Sequence, residues 1–198
     1  MIMNIKHSYI ALLLVMFSVN IFAAEWQLDP INSQLSFIST KKVNVAETHY
    51  FRNIQGSVDS QGQLILAIDL ASVDTNITVR DERMREYLFE VDIFTTATVS
   101  ASIDTSDVDA IAEGASARLT VDAELDLHGE KKTLKMDVVV TRLVGAKLSV
   151  VSVQPVILNL SDFSLVSGVE KLRELAKLPS ISQAVPVSFY LIFKLKHG

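Results

Sequence analysis

The sequence contains no cysteine. That absence excludes disulfides, thiolate metal sites, a cysteine nucleophile and a lipid-modified N-terminal cysteine, so any folded form has to rest on its core. Histidine is scarce as well, and His7, His49, His128 and His197 stand too far apart for the ligand spacing of a zinc or iron site. No Gly-rich phosphate loop and no Gly-x-Ser-x-Gly nucleophile elbow occurs, and Ser167-Gly168 reads only as a turn. Lys and Arg nowhere form a run, and the formal net charge is -5 at pH 7. Nucleic acid and anionic membrane surfaces, which demand clustered cations, are therefore disfavoured as partners. An apolar run of roughly 20 residues, long enough to cross a bilayer, is also missing.

What is present begins with an export signal. Lys6 and His7 precede the apolar run Tyr9 to Val19, and Ala23-Ala24 offers the small residues a signal peptidase requires. Cleavage is expected after Ala23, because that places Ile21 rather than bulkier Phe22 three positions upstream. The reading is residues 1–23 as signal peptide and 24–198 as one domain, long enough for a sizeable core and undivided by any linker. A Gram-negative periplasm is the expected compartment, with no stable membrane insertion.

Apolar residues then recur at every second position, the period of a strand with one face buried. Leu35 and Phe37 begin the pattern, and Leu64, Leu66, Ile68 and Leu70 continue it, followed by Val99, Ala101 and Ile103. It is cleanest in Leu119, Val121, Ala123, Leu125 and Leu127, set against Arg118, Thr120, Asp122, Glu124 and Asp126. Leu134, Met136, Val138 and Val140 follow a turn at His128 to Lys131, so the two segments read as a hairpin. Leu148 and Val150 open a further strand, and the last strand puts Val187, Phe189, Leu191, Phe193 and Leu195 on one face. Two segments read as helices: Thr78 to Leu88, with Asp74 or Thr78 as cap, and Val169 to Leu178, stopped by Pro179.

This order of elements predicts an all-β fold with short helical insertions, built on an antiparallel sheet. Seven or eight strands can stack as a sandwich or close as a barrel. The long arms of the 118–142 hairpin favour tilted barrel strands, and a barrel of about eight strands either fills with side chains or encloses one ligand. Small inward candidates, Gly56, Val58, Ala101 and Ala123, leave room for a slender guest, or simply fit the taper of a filled core.

Candidate chemistry is thin. His128, in the turn, and His197, at the tail, read as solvated, and His49 reads as a surface residue with ligand contact as the alternative. Carboxylates such as Asp122, Glu124 and Asp126 fall on outward positions and mark a solvated face. The charge-dense Arg80-Asp81-Glu82-Arg83 reads as an exposed, salt-bridged helix. No catalytic residue, metal site or cofactor is expected.

Several short pieces, in order, carry a family resemblance: Trp26-Gln27-Leu28-Asp29-Pro30-Ile31-Asn32-Ser33 running to Phe37, Asn53 to Val58, Asp74-Thr75-Asn76 leading to Arg80-Asp81 and Leu88-Phe89, Leu119 to Leu127 with Gly129, and Leu160-Ser161-Asp162-Phe163. Together they resemble the YceI-like family of polyisoprenoid-binding, lipocalin-like proteins over nearly the whole of 24–198. Asn32 stands where the family usually has histidine, and Ser167 to Leu178 is similar to an addition found in a subgroup. The resemblance implies an extended antiparallel barrel of about eight strands whose apolar pore takes an isoprenoid chain, such as a quinone or polyprenyl lipid, with the polar head near the mouth. On that reading the protein is a non-catalytic carrier or store, and Phe37, Ile54, Leu66, Ile68, Met84, Leu88, Phe89, Leu125, Met136 and Phe189 include the pore lining, with Arg80 at the mouth. The sequence leaves open whether two chains pair as a homodimer. The competing expectations are an envelope stress or accessory interaction protein with a filled barrel, and a lipid-acting enzyme using Asp81 or His49 as base.

Overall fold

The alternating segments are strand almost throughout, Leu70 lying instead in a 3-10 turn and Ile103 just past a strand end, and the strands close on themselves. The computed structural model describes residues 25–196. The expected signal at 1–23, its cleavage after Ala23, and His197 lie outside the described residues. Twelve strands form one sheet: β1 (Glu25–Leu28), β2 (Gln34–Lys41), β3 (Val45–Phe51), β4 (Ile54–Val58), β5 (Gln63–Asp69), β6 (Val73–Asp74), β7 (Thr96–Ser102), β8 (Ser116–Leu127), β9 (Glu130–Leu143), β10 (Lys147–Ser152), β11 (Val156–Asn159) and β12 (Ala184–Lys196). Four pairs are halves of one longer, interrupted strand. Tight 3-10 turns at Pro30–Asn32 and Leu70–Ser72 separate β1 from β2 and β5 from β6, Arg52-Asn53 separates β3 from β4, and Pro155 falls in the break before β11.

Counted this way the sheet is a closed, eight-stranded antiparallel barrel in simple up-and-down order. The ring is completed where β12 pairs with β1, Lys196 opposite Glu25 and Phe193 opposite Leu28, and then with β2, Phe189 opposite Leu35. The sandwich alternative is thereby excluded. The hairpin read at 118–142 is β8 and β9 in continuous register, with Val121 opposite Met136. His128 and Gly129 both have positive φ, 56° and 79°, which is the two-residue turn whose twist matches that of its strands.

Helices fill the connections at the two ends. At the upper end lie α1 (Thr78–Arg83), continued by a π-helical turn at Met84–Leu88, and α3 (Val166–Leu175). At the lower end a short α2 (Thr105–Asp109), which the sequence reading did not anticipate, is capped by Asp104 accepting from the Ser106 amide at 2.9 Å. Two details differ from expectation. Neither Asp74 nor Thr78 caps α1: Asp74 accepts from the Asn76 amide and from Arg52 instead, and Thr78 is already helical. Ser167-Gly168 is no turn but the first turn of α3, which starts before Val169. Gly168 lies there because the π-helical turn passes against it, and a β-carbon would sit 2.4 Å from the Tyr87 carbonyl oxygen.

Candidate ligand-binding site

The inward faces of the strands are mostly apolar, Glu47 and His49 of β3 being exceptions, yet the interior is not filled. A cavity of about 590 Å³ runs through the barrel, bounded below by Trp26, Ile103 and Val108 and above by the two helical insertions. That volume falls within the roughly 300–1,000 Å³ typical of small-molecule sites. Its wall is aliphatic and aromatic along most of its length. Leu119, Val121, Leu125 and Leu127 of β8 face Leu134, Met136, Val138 and Val140 of β9, and β12 contributes Val187, Phe189, Leu191 and Phe193.

At the lower end, the segment carrying α2 is pinned by Arg142, whose Nε donates to the Ile111 carbonyl at 2.7 Å and whose Nη2 donates to that of Val108 at 2.8 Å. The guanidinium also lies 5.9 Å from the Trp26 ring centroid. Its charge is shared between these carbonyls and Asp109, whose Oδ1 lies 3.6 Å from Nη2 and which, with Thr105, also borders the cavity at its floor.

Polar side chains gather at the upper end. Glu47 of β3 accepts from Lys41 Nζ at 2.7 Å and from Arg80 Nη1 of α1 at 2.6 Å, and the Lys41 hydrogen bond, with support from Arg80, holds its carboxyl below the usual range. Arg80 Nη2 donates to the Thr75 carbonyl at 2.7 Å. Asp81 in turn accepts from the Thr75 amide at 2.8 Å and from its hydroxyl, which fixes the chain entering α1. The segment Arg80-Asp81-Glu82-Arg83 is therefore not simply an exposed salt-bridged face: Asp81 is buried, while Arg80 and Arg83 line the cavity. His49 is likewise not a surface residue. It is 2% exposed, lines the cavity beside Phe37 at 5.3 Å between ring centroids, and places Nε2 2.8 Å from Ser39 Oγ. Burial, reinforced by the charge of Arg80, pushes its pKa down and favours the neutral ring.

Of the pore residues read from the sequence, Phe37, Leu66, Ile68, Met84, Leu88, Phe89, Leu125, Met136 and Phe189 all border the cavity, and Arg80 stands at its upper end. Ile54 does not. It follows directly on the β3–β4 break, is 1% exposed, and belongs to the packed core rather than to the cavity surface. Among the small residues credited with making room, Val58 borders the cavity but Gly56, Ala101 and Ala123 do not. Asn32 is exposed in the turn between β1 and β2, away from the cavity, and donates to Asp29 at 2.7 Å. His128 is not solvated either: its ring packs on Phe94 at 4.2 Å and Nε2 donates to Glu90 at 2.9 Å, tying the β8–β9 turn to the α1 insertion. No group of acidic or histidine side chains able to hold a metal ion occurs among the described residues, nor any helix long and apolar enough to cross a membrane.

Comparison with known proteins gives a consistent result. The model of the YceI-like domain matches residues 26–193. A solved polyisoprenoid-binding domain from Saccharophagus degradans, implicated in plant cell wall breakdown, is 40% identical, with a TM-score of 0.85 over 86% of this chain and 98% of that one. Burkholderia cenocepacia BcnA shares the fold at 20% identity and a TM-score of 0.64, over 83% of this chain and 98% of its own. A Campylobacter jejuni YceI protein does so at 14% identity and 0.54, over 76% and 85%. No curated protein matches the sequence.

Proposed function

This chain belongs to the YceI-like family, and from that premise we propose that it is a non-catalytic periplasmic carrier or store for a long-chain isoprenoid lipid, such as a quinone or polyprenyl compound. The tail lies along the aliphatic barrel and the polar end toward Arg80. The observation that carries this reading is the apolar cavity, whose polar side chains, Thr105 and Asp109 at the floor apart, are concentrated at the upper end. Each methylene buried there contributes roughly 0.8 kcal/mol, so a few isoprene units supply affinity without any specific polar contact. The likeness to a polyisoprenoid-binding domain at 40% identity supports the ligand class. An accessory role with a filled barrel lacks its premise, since the interior is open. For an enzyme, Asp81 is committed to Thr75, and His49, paired through Nε2 with Ser39, has no third group on Nδ1 to orient it as a base.

The test is to purify the exported protein from its native host, extract it with organic solvent and weigh the extract by mass spectrometry. An isoprenoid lipid in near-stoichiometric amount is expected. An extract free of lipid, together with no uptake of added long-chain quinone from detergent, overturns the reading.

A further inference from the structure

The upper end of the barrel is apolar outside as well as inside. Ile77 and Val79 of the α1 region border the cavity and are at the same time 47% and 51% exposed to solvent. Beside them, joined through the Glu47–Arg80 ion pair, the β2–β3 hairpin presents Val43 and Val45, 75% and 42% exposed. Val43 is held at φ 69°, a conformation that β-branched residues avoid, so a large apolar side chain is displayed at a strained tip where Asn or Gly would be at ease. The hairpin is tied to the loop following α3, Lys42 donating its amide to the Ser180 carbonyl at 3.1 Å, and Ala176 and Leu178 of that region also border the cavity. The cavity lining thus continues out onto a rim.

That rim also carries positive charge. Lys42, Arg83 and Lys177 make no ion pair among the described residues, and Glu47 is already shared by Lys41 and Arg80. Of the acidic groups on the bordering helices, Asp81 is held by Thr75 and Glu170 by Arg173, which leaves Glu82, Glu86 and Glu174. The cations are scattered in sequence, which is why no basic run is seen there, and folding brings them to one end of a molecule whose net charge is negative. Exposed apolar side chains on elements that also carry unpaired Lys and Arg fit the interface of an anionic bilayer, where the apolar groups enter the headgroup boundary and the cations meet lipid phosphates.

We propose that the rim formed by the β2–β3 hairpin, α1 and the loop after α3 docks transiently on anionic lipid bilayers, so that an apolar ligand passes between membrane and cavity without crossing water. This rests on the lipid-binding reading of the cavity, and the experiment separates the two. Donor vesicles of phosphatidylglycerol and phosphatidylethanolamine carry a long-chain isoprenoid quinone. Its transfer to heavier acceptor vesicles by the exported protein is followed by sedimentation and mass spectrometry, for the unaltered protein and for the double variant Val43→Asp, Val45→Asp. Neither substituted residue borders the cavity, Asp tolerates the positive φ at position 43, and circular dichroism checks the fold.

Transfer is expected to rise in proportion to acceptor concentration, to slow severalfold when phosphatidylcholine replaces the anionic lipid, and to slow at least about tenfold in the double variant, which still takes up quinone from detergent. Transfer independent of acceptor concentration, equal transfer by the variant, or transfer that requires an added envelope protein fraction overturns the docking surface. Failure of both proteins to take up quinone from detergent overturns instead the reading on which it rests.

Discussion

Asp29 is held between Lys194, whose Nζ lies 2.6 Å away, and Asn32, with the Ile31 amide on its other oxygen. These contacts bring its pKa from 3.8 to about 2, the Lys194 hydrogen bond contributing most. A carboxyl depressed in the folded state stabilises the fold above its unfolded pKa, and that contribution disappears as the pH falls from about 4 through about 2. Because Lys194 is half exposed, screening limits it to about 1–2 kcal/mol. Asp29→Asn is expected to cost that much at pH 7 and almost nothing at pH 2, read by urea unfolding. His49 works in the same direction for a different reason. Burial and the cations Arg80 and Lys41 lower its pKa below 6.5, against the opposing charges of Glu47 and Asp81. The unfolded chain therefore takes up the proton first, and stability that is complete above 6.5 declines as the pH falls below it. His49→Phe removes this component, so the unfolding free energy of the variant should vary less than that of the parent between about pH 7 and pH 5. An unchanged slope would show that the ring titrates normally. The burial of His49 was hidden in the sequence because Glu47, on the same strand face, is polar and interrupts the apolar alternation. Its cross-strand partner Phe37 and its neighbour Phe51 were the available signal.

The two helical insertions at the upper end meet where Gly168 of α3 lies under the π-helical turn, with Leu88 Cα 2.8 Å and the Tyr87 carbonyl 2.4 Å from where a β-carbon would stand. The near atoms are backbone and cannot rotate aside, so Gly168→Ala forces the helix away and is expected to cost about 1–3 kcal/mol. Thermal and urea unfolding measure the loss, and added ligand should recover part of it by mass action. At this scale the strands were legible wherever period-two alternation ran for several residues, as in β8, β9 and β12. Their interruptions were not. A 3-10 turn such as Leu70–Ser72 leaves the apolar residues of both halves in a plausible order, and the Asp69 side chain that accepts from the Ala71 amide is an ordinary surface residue until the turn exists. The start of α3 is hidden for a similar reason: Ser167-Gly168 carries turn propensity, and the tertiary approach that requires glycine inside the helix is set by Tyr87 and Leu88, far earlier in the chain.

The barrel has room because its inward side chains, taken together, do not reach the axis. Val121 borders the cavity in cross-strand register with Met136, so Val121→Phe fills space without a new polar group. Copurifying lipid is expected to drop at least about tenfold, equivalent to about 1.4 kcal/mol in affinity, while the unfolding midpoint stays level or rises. Lipid retained at parental levels would place the ligand elsewhere. Whether the sheet was a sandwich or a barrel could not be read from periodicity, because closure depends on residues from opposite ends of the chain meeting, Glu25 with Lys196 and Trp26 with Leu195. That same pairing is the longest-range event in folding, and its loop-closure entropy has to be met before any contact across it is returned. With the seam zipped, hydrogen-bonded strands wall the interior all the way round, so whatever enters has to pass one of the two ends, and the helices plugging those ends become the doors.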